Sequence, residues 1–185
     1  MNYFISTGEL SGDLHASYIV EKIKNLDKNA KVYAIGGMNL KKQDVEIVRD
    51  IDSLAIMGFV EVVKNFNFLK KVLEETVEFI LSNNIDRVVL VDYGGFNLKL
   101  LERLKLKKPS LKITYYIPPK VWIWGKKRVP KIAKADEILV IFPWEVDFYK
   151  KENVKALYFG NPFMEKYEKI TKKGDKILLL PGSRK

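Results

Sequence analysis

The chain has 185 residues, of which 47% are hydrophobic and 30% charged, a composition typical of a globular domain and not of a disordered segment. It contains no cysteine, which excludes disulfides, thiolate metal sites and cysteine nucleophiles, and its one histidine, His15, gives little support to Ser-His-Asp chemistry. Lys and Arg outnumber Asp and Glu by 33 to 23, and the net charge of +10 favours a phosphate, a nucleic acid or an anionic membrane surface as partner, unless the lysines are simply those of a Lys-rich proteome.

Targeting and membrane signals are absent from the sequence. No apolar stretch reaches the roughly 18 residues that a spanning helix needs. No basic segment precedes a long apolar run at the N-terminus, so we expect no signal peptide. The sequence therefore predicts a cytoplasmic protein. His15 falls early in the first predicted helix, where a solvated or helix-capping role is expected.

A glycine-punctuated loop follows the first predicted strand, residues 3–5, and leads into a helix with apolar residues at helical spacing. Gly8 and Gly12 would let a ligand approach the backbone closely, and Glu9 lies between them as a carboxylate. Ser11 or Asp13 is expected to cap the helix. The alternative is an ordinary capped turn with a solvated Glu9. The spacing matches neither a Walker loop nor a dinucleotide-binding fingerprint.

The next elements are two predicted strands, at residues 31–35 and 45–48. Asp50 and Asp52 follow, in the D-x-D pattern that holds a metal on sugar nucleotides. Two carboxylates in a connection are more often solvated surface, and that alternative stays open.

A long helix is predicted over about residues 60–81, with one apolar stripe wide enough for a core face. Further apolar residues exceed what that stripe requires, and Lys64, Lys70 and Lys71 flank them. Such a surface fits contact with lipid headgroups, and burial under a neighbouring loop is the alternative. The predicted membrane patch comprises Phe59, Val60, Val63, Phe66 and Phe68. Phe66 also fits the buried stripe.

The most convincing buried parallel strand covers residues 87–92 and ends in Asp92. A helix through about residue 105 follows. A carboxylate at the carboxyl end of a central parallel strand is where an α/β enzyme would place a general base. A helix-capping aspartate is the alternative.

A predicted strand at residues 112–117 leads into a rigid aromatic loop that carries Trp122 and Trp124 and ends in three cations, residues 126–128. The two Trp could stack on a ring beside a phosphate, or they could anchor the loop to the core. A strand at 137–142, a helix at 145–151 and an edge strand at 156–159 complete the domain.

The C-terminal residues predict a domain boundary. A polar linker covers residues 171–175, a new strand begins at 177, and the sequence stops soon after it. We therefore expect an N-terminal domain over residues 1–172, and a linker with the first strand of a truncated second domain over residues 173–185.

Five motifs together resemble the lipid-A-disaccharide synthase family, in the family's order and over essentially the whole chain. They are G-E-L-S-G-D at residues 8–13, M-G-F-V-E-V at 57–62, V-D at 91–92 with F-N at 96–97, V-W-I-W at 121–124 with K-R at 127–128, and L-P-G-S-R at 180–184. The resemblance implies an inverting glycosyltransferase of the GT-B type with two Rossmann-like domains. The expected fold class is thus α/β, a Rossmann-like parallel sheet flanked by helices that forms the N-terminal, acceptor-side half.

The resemblance also implies the reaction and its partners. The family transfers 2,3-diacylglucosamine from its UDP conjugate to 2,3-diacylglucosamine 1-phosphate (lipid X), giving the β-1,6-linked disaccharide phosphate and UDP. No cofactor, metal or nucleic acid is expected. The enzyme would sit peripherally on an anionic membrane, at the inner face of the inner membrane, and could form a homodimer at full length. This fragment alone is expected to be inactive, because the UDP site lies mainly in the second domain.

Site residues follow from the same resemblance. Asp92 is the expected general base, and Glu9 would position the acceptor. The expected substrate-binding residues are Gly8, Ser11, Gly12, Asn97, Trp122, Trp124, Lys127 and Arg128. The expected UDP-binding residues are Asn161, Gly182, Ser183 and Arg184, of which the arginine would neutralise diphosphate charge.

Two departures from the family pattern stand out. Gly94-Gly95 replaces the usual Pro-Asp, which leaves Asp92 without its acidic neighbour, and Gly160-Asn161 replaces the frequent Gly-His. Two rival functions stay open: a transferase for a soluble sugar, and a basic nucleic-acid-binding module whose affinity would fall steeply with salt.

Overall fold

The structure, a computed structural model, describes residues 1–52, 66–123, 125–165 and 179. Its centre is a parallel sheet in which seven strands of the described ranges follow the order β3-β2-β1-β4-β5-β6-β7. The strands are β1 (Asn2–Ser6), β2 (Lys31–Gly36), β3 (Glu46–Asp50), β4 (Arg87–Val91), β5 (Lys112–Tyr116), β6 (Glu137–Val140) and β7 (Leu157–Tyr158).

Helices connect the strands, as a parallel sheet requires. They are α1 (Leu10–Leu26), α2 (Met38–Lys41), α3 (Phe66–Ser82), α4 (Gly94–Lys107), α5 (Val129–Ile132) and α6 (Pro143–Lys151), with 3₁₀ turns at Lys126–Arg128 and Pro162–Glu165. The predicted α/β sheet flanked by helices is therefore confirmed.

Strand β4 shows how the sequence fills both faces of the sheet. Successive strand residues point to opposite faces, so the apolar run of four at residues 88–91 suits a strand that is covered on both sides. Val88 and Leu90 join the core cluster that α3 and α4 cover, and Val89 and Val91 join the cluster beneath α1. All four are buried.

The strand order reverses between β1 and β4, which are neighbours in the sheet. From β1 the chain winds outward through β2 and β3, and from β4 it winds the opposite way. In open α/β sheets, ligands bind beyond the carboxyl ends of the strands at such a reversal. A ligand-binding site is therefore expected at the loops that follow β1 and β4.

The predicted caps of the first helix are wrong. Helix α1 begins at Leu10, with Glu9 at its N-cap in extended conformation and no side-chain capping bond. Ser11 thus lies inside the helix. Asp13 is buried and accepts hydrogen bonds from the backbone N–H groups of Gly37 (2.6 Å) and Asn39 (2.8 Å), so its carboxylate caps α2.

Four predicted strands, β4 to β7, end one or two residues earlier than the hydrophobic pattern suggests. Strand β4 ends at Val91, because Asp92 has a φ of 48° that no strand residue adopts. Strand β6 ends at Val140, and α6 starts at Pro143, a residue suited to the first turn of a helix. The predicted domain boundary near residue 172 lies outside the described residues.

Candidate active site

The loops after β1 and β4 touch through Gly8. A Cβ atom at this position would overlap the ring of Tyr93, so glycine lets the aromatic ring lie directly on the backbone. Gly12 serves a similar purpose in the first turn of α1, where a Cβ would overlap Oγ1 of Thr7. The space beside Gly12 is thus occupied by the Thr7 side chain, so a ligand cannot approach the backbone there.

Asn97 joins the ends of β1 and β4 from within the protein. Its side chain is fully buried. Its Oδ1 accepts a bond from Ser6 Oγ (2.6 Å), and its Nδ2 donates to the carbonyl oxygens of Ser6 (3.1 Å), Val91 (3.3 Å) and Asp92 (2.9 Å). A side chain so enclosed positions the two loops, and a direct contact of Asn97 with substrate stays a prediction.

Asp92 follows β4 at the point of reversal, and its backbone is held in a rare conformation. Asp92 and Tyr93 both have φ of 48°, in the left-handed region, where residues other than Gly are uncommon. Such residues cost about 1–3 kcal/mol each and cluster at functional sites. Besides Asn97, the hydroxyl of Tyr115 donates to the Asp92 carbonyl at 3.0 Å. Two buried donors therefore fix this loop.

Charges converge on the same loop. Burial raises the pKa of Tyr115 well above its usual range, the charge of Asp92 adds to that rise, and the Arg128 guanidinium opposes it. Burial also raises the pKa of Tyr93, with a further contribution from Glu9. Asp92, Arg128 and Glu9 thus act on two tyrosines at one edge of the sheet. The structure brings the two predicted catalytic carboxylates into adjoining loops.

The aromatic loop is anchored through Trp122. Its indole N–H donates to Oε1 of Glu145 (3.2 Å), which is buried and also accepts from the Phe142 backbone. The Trp122 and Trp144 rings meet edge to face, with centroids 4.4 Å apart. These contacts favour the anchoring alternative for Trp122. Trp124 lies outside the described residues, and Lys127 is exposed after the loop.

Asn161 lies at a groove of about 780 Å³ between α1 and the ends of β5 to β7. Its Oδ1 accepts a bond from the Phe163 backbone at 3.1 Å. His15 lines the same groove, and the prediction that it is solvated or capping is wrong. Only 7% of His15 is exposed, and its Nδ1 has no hydrogen-bond partner in the described structure. The centroid of the Phe163 ring lies 5.0 Å from that of the His15 ring.

Acid is expected to destabilise the protein through His15. Burial lowers the pKa of His15 in the folded state, so the unfolded chain binds the proton more readily. The stabilisation is complete above the unfolded pKa of about 6.5 and is lost as the pH falls towards the folded pKa. The total loss is about 1.4 kcal/mol for each unit by which folding lowers the pKa of His15. Urea unfolding at pH 5 and pH 7.5 should show this loss in the wild type and a smaller one in His15→Phe. Identical pH profiles would contradict it.

Several other predicted residues lie outside the described part of the chain, namely Phe59, Val60, Val63, Gly182, Ser183 and Arg184, and the side chain of Phe66 does too. Phe68 packs, partly buried, against the core cluster, with the Arg49 guanidinium carbon 5.9 Å from its ring centroid. That placement favours the core alternative for Phe68.

The D-x-D carboxylates are engaged within the protein. Asp50 forms an ion pair with Lys41 and accepts a bond from the Asp52 backbone at 2.9 Å. No group of three or more metal-ligating side chains occurs in these ranges. None of the helices described is both long and apolar enough to cross a bilayer.

The family model for lipid-A-disaccharide synthetase matches residues 3–185. The chain belongs to the lipid-A-disaccharide synthase family. It is 34% identical to the Geobacter metallireducens lipid-A-disaccharide synthase and 36% identical to that of Persephonella marina, and each alignment covers 98% of this chain and 50% of the relative.

The chain therefore spans about half the length of the curated relatives it matches. Among solved structures it resembles MurG of Acinetobacter baumannii, with a TM-score of 0.53 and 12% identity, over 96% of this chain and 48% of that one. This likeness concerns the fold and supports the N-terminal half of a GT-B arrangement.

Proposed function

We propose that this chain is the acceptor-binding half of a lipid A glycosyltransferase, in which Asp92 is the general base. The observation that carries the proposal is the pairing of the Glu9 and Asp92 loops through Gly8 and Tyr93, at the strand-order reversal of the sheet. A half-buried carboxylate at this place can accept a proton from a hydroxyl group that is bound beside it.

The proposed reaction joins two acylated glucosamines. The acceptor is 2,3-diacylglucosamine 1-phosphate, and its 6-hydroxyl oxygen bonds to C1 of 2,3-diacylglucosamine as the C1–O bond to UDP breaks. The hydroxyl proton goes to Asp92, and the bonding electrons leave with UDP. Attack from the face opposite UDP inverts the configuration at C1 and gives a β-linkage.

The other residues would support this transfer by binding. Glu9, in the adjoining loop, would hold the acceptor. Lys127 and Arg128 would attract its phosphate, because both are exposed and the charge of Arg128 acts on Tyr115, which bonds the Asp92 carbonyl. Arg184 would neutralise charge that develops on the diphosphate, a role that needs the half of the family fold that carries the UDP site.

Release of UDP tests the proposal. An enzyme that contains this chain and a donor half should release UDP only when UDP-2,3-diacylglucosamine and lipid X are both present. Nuclear magnetic resonance of the product should show a β-linkage. Absence of UDP release with both lipids would contradict the transferase, and an α-linkage would contradict inversion.

Peripheral docking on the cytoplasmic membrane surface is the second part of the proposal. Val60 and Val63 precede α3 among lysines, and both proposed substrates carry acyl chains. Changing Val60 and Val63 to Ser should lower binding to anionic vesicles several-fold while leaving the melting temperature unchanged.

Phe68→Ser serves as the control for this prediction, because Phe68 packs against the core. It should lower the free energy of unfolding by about 1–3 kcal/mol, as removal of a partly buried apolar side chain does. If the two-valine variant loses stability and retains vesicle binding, docking through this patch is wrong.

A further inference from the structure

An apolar groove of about 540 Å³ lies between α3 and α4. Its inner wall consists of Leu69, Leu73, Tyr93 and Phe96, of which Leu73 and Phe96 are buried. The Tyr93 and Phe96 rings stack at 5.7 Å and form one side. The volume falls within the range of about 300–1,000 Å³ that is usual for small-molecule sites.

Charged side chains surround the entrance to this groove. Among the described lining residues, Lys70, Lys99 and Arg103 contribute three cations, and Glu102 contributes one carboxylate. The Glu102 carboxylate already accepts bonds from Lys131 (3.0 Å) and Lys134 (3.2 Å), and Arg103 pairs with Glu74 (3.0 Å). The entrance is therefore cationic, while the interior is apolar, an arrangement that complements an amphiphile with an anionic head.

The groove also adjoins the proposed base. Tyr93 lines it, and Tyr93 is the residue after Asp92. A ligand whose chain lay along Leu73 and Phe96 could thus bring its head to the loop of Asp92 and Glu9 without leaving the surface of the protein.

We propose that the groove between α3 and α4 binds one acyl chain of the acceptor lipid. This inference rests on the proposed function, because it names the subsite through which that acceptor is held. The cations at the entrance would steer the anionic acceptor to the groove, while Lys127 and Arg128 would hold its phosphate. The apolar wall would contact the acyl chain along its length.

Gly95 offers a direct way to block the groove. It lines the entrance, and a Cβ atom built on it meets no heavy atom within 4 Å. Gly95→Trp can therefore fill the groove from its rim without a clash at the backbone. Gly95→Ala is the matched control, since it removes the same helical glycine and leaves the groove open.

Binding of alkyl phosphates below their micelle concentrations tests the inference, with hexyl and dodecyl phosphate as probes in isothermal titration. In the wild type and Gly95→Ala, each methylene of the chain should tighten binding up to about fourfold, from the transfer free energy of a buried CH₂. Gly95→Trp should weaken the binding of dodecyl phosphate at least tenfold and should affect the binding of hexyl phosphate much less. Leu69→Glu, which places a charge on the half-buried wall, provides a second test if Gly95→Trp does not fold.

Three results would overturn the inference: no dependence on chain length in the wild type, unchanged dodecyl phosphate binding in a folded Gly95→Trp, or unchanged binding in a folded Leu69→Glu. Its failure is separable from that of the proposed function. UDP release without alkyl phosphate binding overturns the acyl groove alone, whereas alkyl phosphate binding without UDP release overturns the transferase.

Discussion

Replacing Asp92 with Asn is expected to lower turnover of the two-domain enzyme by about 10² to 10⁴, the usual contribution of a positioned general base. Asn keeps the shape of Asp and, like Asp, tolerates the left-handed region, so the backbone at φ 48° should be retained. The amide cannot accept the acceptor proton as a carboxylate does. Initial rates of UDP release at saturating lipid would measure the effect, and the acceptor KM should change little.

Asp147→Asn is the matched control, because Asp147 is exposed on α6 and the same charge is removed outside the two loops of the site. Its turnover should equal that of the wild type. If Asp92→Asn also turns over at nearly the wild-type rate, Asp92 is a structural residue of the β4 loop and the base lies elsewhere.

The position of Asp92 could be predicted because its signal is local. Four consecutive apolar residues, 88–91, lie in a strand that is buried on both faces, and the first polar residue after them must emerge at the carboxyl edge. The strand order then places that edge beside the loop of Glu9. Apolar periodicity and the alternation of strands and helices therefore suffice for the sheet and for the place of the site.

The roles of individual side chains could not be predicted in the same way, because distant contacts determine them. Asp13 has the spacing of a helix cap, yet it caps α2, whose N-terminus reaches it only after β2 has paired with β1. His15 looks like a surface residue in the sequence, but Tyr116 and Phe163 enclose its ring. Local pattern carries no information about such neighbours.

Tyr115 is the residue of the site that sequence reasoning missed. It falls in an apolar strand, where the pattern predicts that a tyrosine is a core residue. Its ring is indeed buried, but its hydroxyl reaches the Asp92 carbonyl. A buried tyrosine usually finds a hydrogen-bond partner, and its position one residue before the end of β5 was the available signal that the partner would lie at the carboxyl edge.

Asn97→Ala is expected to have the largest effect on stability, about 3 kcal/mol, because each buried group left without its partner costs about 1–3 kcal/mol. The amide bonds Ser6 Oγ and three carbonyl oxygens, and the fully buried site leaves little room for water to replace it. Urea unfolding would measure the loss. Because Asn97 also holds the Asp92 carbonyl, kcat should fall in the folded two-domain variant while the acceptor KM stays nearly constant.

Ser6→Ala separates the shared bond from the rest of the network. It removes only the hydroxyl that donates to Asn97 and should cost about 1 kcal/mol, the net worth of one hydrogen bond. The double variant should lose less than the sum of the two single losses, since both break the same bond. A loss below about 0.5 kcal/mol in Asn97→Ala, the range of ordinary surface substitutions, would mean that the amide does not hold the loops. A fall in stability without any fall in kcat would instead limit Asn97 to the fold and leave the orientation of Asp92 to Tyr115.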